Sequence, residues 1–242
     1  MHLFNDPRSR GYARLTGAFY LFIAVFGFFS ILWVPAQLLV PGDAAATFEN
    51  ILARRGLFLA GIGGEVAILI AEIMATALLY FMFKPVSAAL SFAAALARLS
   101  MVGVMAAMLF FSAGALVLAE PGGALASFSE AQRLDLGNLF LGMHDAGVWI
   151  WQVFFTVHLA ILGQLVARSG RFPRLLGHAM TLGSVGYLLD SLHKFALPEA
   201  AGLGTVTAVF LGIVTLAEVG FALWLVIRGP RPASTAMTQA AA

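Results

Sequence analysis

The 242-residue chain has no cysteine, which excludes disulfides, thiolate metal sites and cysteine nucleophiles. Charge is nearly as scarce, with Asp, Glu, Lys and Arg making up 11% of the residues, against roughly 25% in soluble domains. A chain of this size folded in water would still expose most of its surface and would need charges to cover it. What is abundant is apolar: 61% of the residues are hydrophobic and the mean hydropathy is +0.92. Together these describe an all-α integral membrane protein in contact with the lipid bilayer. The basic balance, a net charge of +2, does not indicate a nucleic-acid partner, because the arginines sit at segment ends and form no stripe along a helix face.

Six apolar stretches, 17–39, 57–83, 88–118, 139–167, 174–196 and 203–227, are each long enough at 1.5 Å per residue to cross a hydrocarbon core of about 30 Å. Residues 1–228 are therefore expected to form one bundle of six transmembrane helices, with 229–242 as a disordered tail of small and polar residues. PGDAAATFEN, Lys84-Pro85, EPGGALASFSEAQRLD, RSGRFP and LPEAAG read as the connections. Ser127 and Glu130 have capping-box spacing, which predicts a short interfacial helix before the fourth span. Arg8, Arg10 and Arg14 resemble the basic start of a signal peptide, but the apolar run beyond them exceeds the usual 7–15 residues and is read as a retained helix.

Orientation follows from the distribution of basic residues. Arg8, Arg10, Arg14, Lys84, Arg168, Arg171, Arg174, Arg228 and Arg231 fall on one side of a six-span topology, and Arg54, Arg55, Arg133 and Lys194 on the other. Nine against four places both termini in the cytoplasm, with the protein in a bacterial inner membrane.

The ionisable residues inside the spans are the candidate functional groups, since a charge in hydrocarbon is costly unless paired or hydrated. Glu65 and Glu72 lie seven residues apart on one helix face, about 10 Å along the axis. Arg98 stands in the third span; His144, Asp145 and His158 in the fourth; His178, Asp190 and His193 in the fifth; Glu218 in the sixth. Counting rise from the cytoplasmic ends puts Arg98, His158 and Glu218 about 15 Å deep, with Glu72 slightly deeper, and places Glu65, His144, Asp145, Asp190 and His193 in an outer layer.

The segments that carry these groups resemble a family of bacterial six-span membrane proteins catalogued as a domain of unknown function. The matching features are the PGDAAAT loop, the acid-six-residues-acid second helix, Arg98 in LARLS, His144, FFTVHLAILGQL around His158, RSGRFPRLLG, GYLLDSL with Asp190 and AEVGFALWLV with Glu218. The likeness spans nearly the whole chain. The family pattern has aspartates at the positions of Glu65 and Glu72 and does not include His178 or His193. It implies the architecture and weight for the buried groups, and it brings no activity.

Several chemistries fit these residues. Glu65, Glu72, Arg98, His144, His158, Asp190 and Glu218 can bind or conduct an ion, a proton or a small polar solute. His144, Asp190 and His193, with Glu65, offer ligands for a catalytic metal ion in an intramembrane hydrolase or oxidoreductase. Haem between His144/His158 and His178/His193 is disfavoured, because the depths mismatch by about 7–9 Å. A structural or assembly role needs only that Arg98, Glu72 and Glu218 form a buried ion-pair network and that the histidines bond across helices. Trp149 and Trp151 read as packing residues, and Gly61, Gly63 and Gly64 as sites of close helix approach.

Overall fold

The computed structural model describes residues 6–120, 125 and 127–231. The described chain is helical throughout, without strands: α1 (Arg10–Gly27), a π-helical turn (Phe28–Trp33), α2 (Val34–Leu38), α3 (Ala44–Ala53), α4 (Arg55–Phe83), α5 (Ala88–Ala119), α6 (Glu130–Arg168), α7 (Arg174–Gly183), α8 (Val185–Phe195) and α9 (Leu203–Ile227). Among the described residues five helical stretches are long and apolar enough to cross a membrane, namely Arg10–Leu38, α4, α5, α6 and α9. Large apolar side chains such as Phe110, Leu175 and Leu216 are more than three-quarters exposed, as expected where lipid and not water is the solvent.

The remaining apolar stretch, 174–196, is not one uninterrupted helix. It divides at Ser184 into α7 and α8. The cause is a Gly/Ser-rich step: Tyr187 N–H donates three residues back to the Ser184 carbonyl at 3.2 Å, and the Ser184 hydroxyl donates to the Thr181 carbonyl at 2.8 Å. A second irregularity precedes Pro35, which has no N–H to continue the helical ladder; the turn before it is wound as a π-helix.

Two connections differ from the sequence expectation. PGDAAATFEN is largely helical, because Asp43 caps α3 by accepting from Ala46 N–H at 2.9 Å and the alanines after it are strong helix formers. Among the described residues no separate interfacial helix precedes the fourth span: α6 runs unbroken for 39 residues. Its capping box is Ser129 and Gln132, not Ser127 and Glu130, with Gln132 N–H donating to Ser129 Oγ at 3.2 Å and Ser129 N–H donating to Gln132 Oε1 at 2.9 Å. Overlapping S-x-x-E and S-x-x-Q patterns in SFSEAQ made both readings available.

The chain forms two compact units. One contains the described residues of Met1–Leu21, Ala71–Met101 and Trp149–Ala242. Here α7 and α8 pack along α9, the Tyr12 hydroxyl donates to the Leu78 carbonyl at 2.9 Å, and Phe83, Phe172 and Phe221 form an aromatic core with Phe172 and Phe221 centroids 5.3 Å apart. Of the expected tail, Gly229–Arg231 are held, with Arg231 N–H donating to the Arg171 carbonyl at 2.9 Å; residues 232–242 lie outside the described residues.

The other unit comprises Phe22–Ile70 and Val102–Val148. Its core is Val34, Leu38, Phe48, Ile51, Phe58, Ala115, Leu116 and Ala119. A Cβ at Gly64 would collide with the Ser30 hydroxyl and one at Gly61 would press on a Val34 methyl at 3.0 Å, whereas Gly63 has open space beside it. Close approach thus accounts for two of the three glycines.

Candidate functional site: a buried arginine cluster

Within the first unit, Arg98 is the largest fully buried side chain, 1% exposed. Its position on α5 in an apolar helix gives it no water, so every favourable contact must come from neighbouring helices. Arg98 Nε donates to Glu72 Oε2 of α4 at 2.5 Å. Its Nη1 donates to the Tyr20 hydroxyl of α1 at 2.7 Å and to His158 Nε2 of α6 at 3.0 Å. The guanidinium also lies 4.7 Å from the Tyr20 ring centroid, and His158 stacks on Phe155 with centroids 5.8 Å apart. One side chain therefore joins α1, α4, α5 and α6.

The partners determine the form of His158. A guanidinium only donates, so Nε2 must accept; Nδ1 lies 2.9 Å from the Ala94 carbonyl, which only accepts, so Nδ1 carries the proton. His158 is thus a neutral imidazole in this arrangement. A second proton on Nε2 would set two donors against each other.

Glu218, half-buried on α9, interacts electrostatically with Arg98 and Glu72, and its Oε2 lies 3.5 Å from the Tyr187 hydroxyl. Among the described residues it has no cation within ion-pair distance. The cluster then holds one guanidinium, one neutral imidazole and two carboxyl groups. If both carboxyls are ionised, one negative charge is left over. Beside His158, residues including Thr76, Tyr80, Ser91 and Ala94 line a recess with room for about one water molecule.

Of the set expected from depth counting, Arg98 contacts Glu72 and His158 directly, whereas Glu218 faces the Tyr187 hydroxyl. Arg98 chooses Glu72 as its direct partner. Tyr20, bonded to Arg98, and Tyr187, facing Glu218, are contacts that sequence reasoning did not single out. Their only signal was a hydroxyl at apolar depth, where a buried Tyr O–H needs a partner.

The outer groups are partnered otherwise. In the second unit His144 Nε2 lies 3.2 Å from Glu65 Oε2, and Asp145 is exposed. In the first unit Asp190 accepts from Gln152 Nε2 at 3.1 Å and pairs with Lys194 at 3.2 Å, while the Ser191 hydroxyl donates to the Trp149 carbonyl at 2.9 Å. His193 stands in the last turn of α8 and His178 is exposed on α7. Among the described residues no group of three or more His, Asp or Glu is arranged to hold a metal ion. Trp151 packs on Phe155 and Tyr187, and Trp149 on Phe195.

The family described as a domain of unknown function, DUF4386, matches residues 15–229. The chain is also similar to an uncharacterised protein of Archaeoglobus fulgidus, 30% identical over 166 residues, which is 69% of this chain and 82% of that protein. No solved structure matches the chain.

Proposed function

The chain belongs to the DUF4386 family, and for this membrane-embedded member we propose that the buried cluster binds or conducts a proton or a small cation at Glu218. The observation that carries the reading is the surplus carboxyl: Arg98 is committed to Glu72, leaving Glu218 without a cation partner among the described residues. A carboxylate at that depth calls for a proton or a positive ion. Glu72 and Arg98 act as the fixed frame, His158 and Tyr20 complete the guanidinium's bonding, and Tyr187 faces the carboxyl that changes state.

The test compares wild type with Glu218→Gln, reconstituted in proteoliposomes with an interior pH dye, and melted in detergent with Li⁺, Na⁺ or K⁺. A cation at 100 times its dissociation constant should stabilise the wild type by about 2.7 kcal/mol and the variant by nothing. Proton uptake, if that is the ligand, should likewise vanish in the variant. A competing reading, a purely structural cross-brace, draws on the fact that both His158 nitrogens are engaged. Equal behaviour of both proteins in both assays would establish that reading and remove ours.

We further propose a cytoplasmic membrane location, that of a bacterial inner membrane, with both termini in the cytoplasm, supported by the nine-to-four distribution of basic residues. The divided segment 174–195 then has to cross the bilayer. Reporter fusions at Gly170 and Arg231 should give the cytoplasmic signal and one at Ala200 the opposite signal. Matching signals at Gly170 and Ala200 would eliminate that crossing and the six-span topology with it.

A further inference from the structure

Three segments of the first unit bring arginine to one place: 6–14 ahead of and into α1, the α6–α7 turn at 168–174, and 224–231 at the end of α9. Together they hold eight arginines and one carboxylate, Asp6. They are in mutual contact. Arg171 Nη2 donates to the Arg8 carbonyl at 3.4 Å, Arg231 N–H donates to the Arg171 carbonyl at 2.9 Å, and Arg10 Nη2 donates to the Ile227 carbonyl at 2.8 Å. Arg10 thereby caps one of the carbonyls that α9 leaves open at its C-terminus. No arginine in these segments has a carboxylate within ion-pair distance among the described residues.

Such crowding of like charge is unfavourable without a counterion. For the half-buried Arg171 guanidinium, burial first and the neighbouring Arg8 second hold the pKa below its ordinary value, while Asp6 acts in the opposite direction. Arg231 lies 5.4 Å from the Trp224 ring centroid, and Trp224 Nε1 donates to the Gly229 carbonyl at 3.0 Å. A tryptophan fixed at the end of an apolar span is the arrangement found at headgroup level. On either side of it on α9, Leu223 and Ile227 are 42% and 59% exposed, an apolar surface suited to an acyl chain.

We propose that Arg8, Arg171 and Arg231, with Trp224, form a binding site for the phosphate headgroup of an anionic phospholipid. Guanidinium forks match phosphate oxygens in geometry and charge. The acid-poor surroundings select an anion, and the apolar α9 surface beside the arginines distinguishes a lipid from a free phosphate. This site is independent of the Glu218 cluster and stands or falls separately from it.

The experiment uses the full chain in nanodiscs of phosphatidylcholine alone or with about one-fifth phosphatidylglycerol, reading melting temperature together with retained lipid by native mass spectrometry. Wild type should melt higher with phosphatidylglycerol and retain it, and the triple variant Arg8→Gln/Arg171→Gln/Arg231→Gln should lose the shift and retain about tenfold less. Arg231→Gln alone, whose observed hydrogen bond is made by its backbone, keeps the lipid readout available if the triple variant does not fold. Arg133→Gln, in the other unit, should behave as wild type. The proposal is overturned if phosphatidylglycerol acts equally on wild type and the arginine variants, or if Arg133→Gln loses as much. It is also overturned if inorganic phosphate added to phosphatidylcholine nanodiscs reproduces the whole shift, since the ligand would then be a soluble anion.

Discussion

Arg98→Leu is expected to cost the folded protein about 3–5 kcal/mol, the range for removing one partner of a buried ion pair. The loss arises less from the missing attraction than from what remains. The carboxylate of Glu72, 3% exposed, would face apolar side chains with no cation, and the Tyr20 hydroxyl and His158 Nε2 would each lose a donor. Replacing both partners, Arg98→Leu with Glu72→Leu, removes the stranded charge and should recover most of the stability, because a buried pair is often no better than apolar residues of similar volume. Melting of the four proteins in detergent gives the coupling directly. A double variant whose loss equals the sum of the single losses would show that Arg98 and Glu72 do not act as a pair. Glu218→Leu in place of Glu72→Leu should give a much smaller recovery, since the direct contact is to Glu72.

Ionisable residues were legible in the sequence because their cost in hydrocarbon makes each one conspicuous, and rise per residue was enough to put Glu72, Arg98, His158 and Glu218 at one level. Which of the two acids Arg98 would take was not legible, because depth says nothing about the direction in which a side chain leaves its helix. For the same reason the outer set could be listed but not partnered: Glu65 takes His144, and Asp190 takes Gln152 and Lys194. Tyr20 escaped notice since an aromatic in an apolar helix looks like filler until its hydroxyl is seen against a guanidinium. Among the connections, the Gly and Pro of PGD signalled a turn, and the weaker signal of Asp43 followed by three alanines was masked by it, although Asp43 caps a ten-residue helix. The division of the fifth apolar stretch at Ser184 was hidden by its composition, which is apolar on both sides of the break.

Gly177→Val is expected to be the most damaging substitution outside the charged cluster. A Cβ at Gly177 of α7 would meet the backbone carbonyl of Gly163 and, at 2.6 Å, the backbone nitrogen of Ala167, both on α6. These are main-chain atoms, so no rotamer change relieves the clash, and the two helices would have to separate. Close backbone approach through small residues is a main source of helix association in lipid, where apolar surface gains nothing by leaving the solvent. Overpacking of a tight interface costs about 1–3 kcal/mol per substitution, and a β-branched residue against backbone belongs at the upper end. Gly212→Ala supplies the internal control, since Gly212 lies inside α9 with nothing within 4 Å of the added Cβ. There alanine should stabilise the helix by about 0.5–1 kcal/mol through propensity alone. Opposite shifts in melting temperature for Gly177→Val and Gly212→Ala would tie the glycine requirement to the α6–α7 contact. Should Gly177→Val melt with wild type, those helices do not meet at Gly163 and Gly177, and the seating of α7 beside α6 would have to be revised.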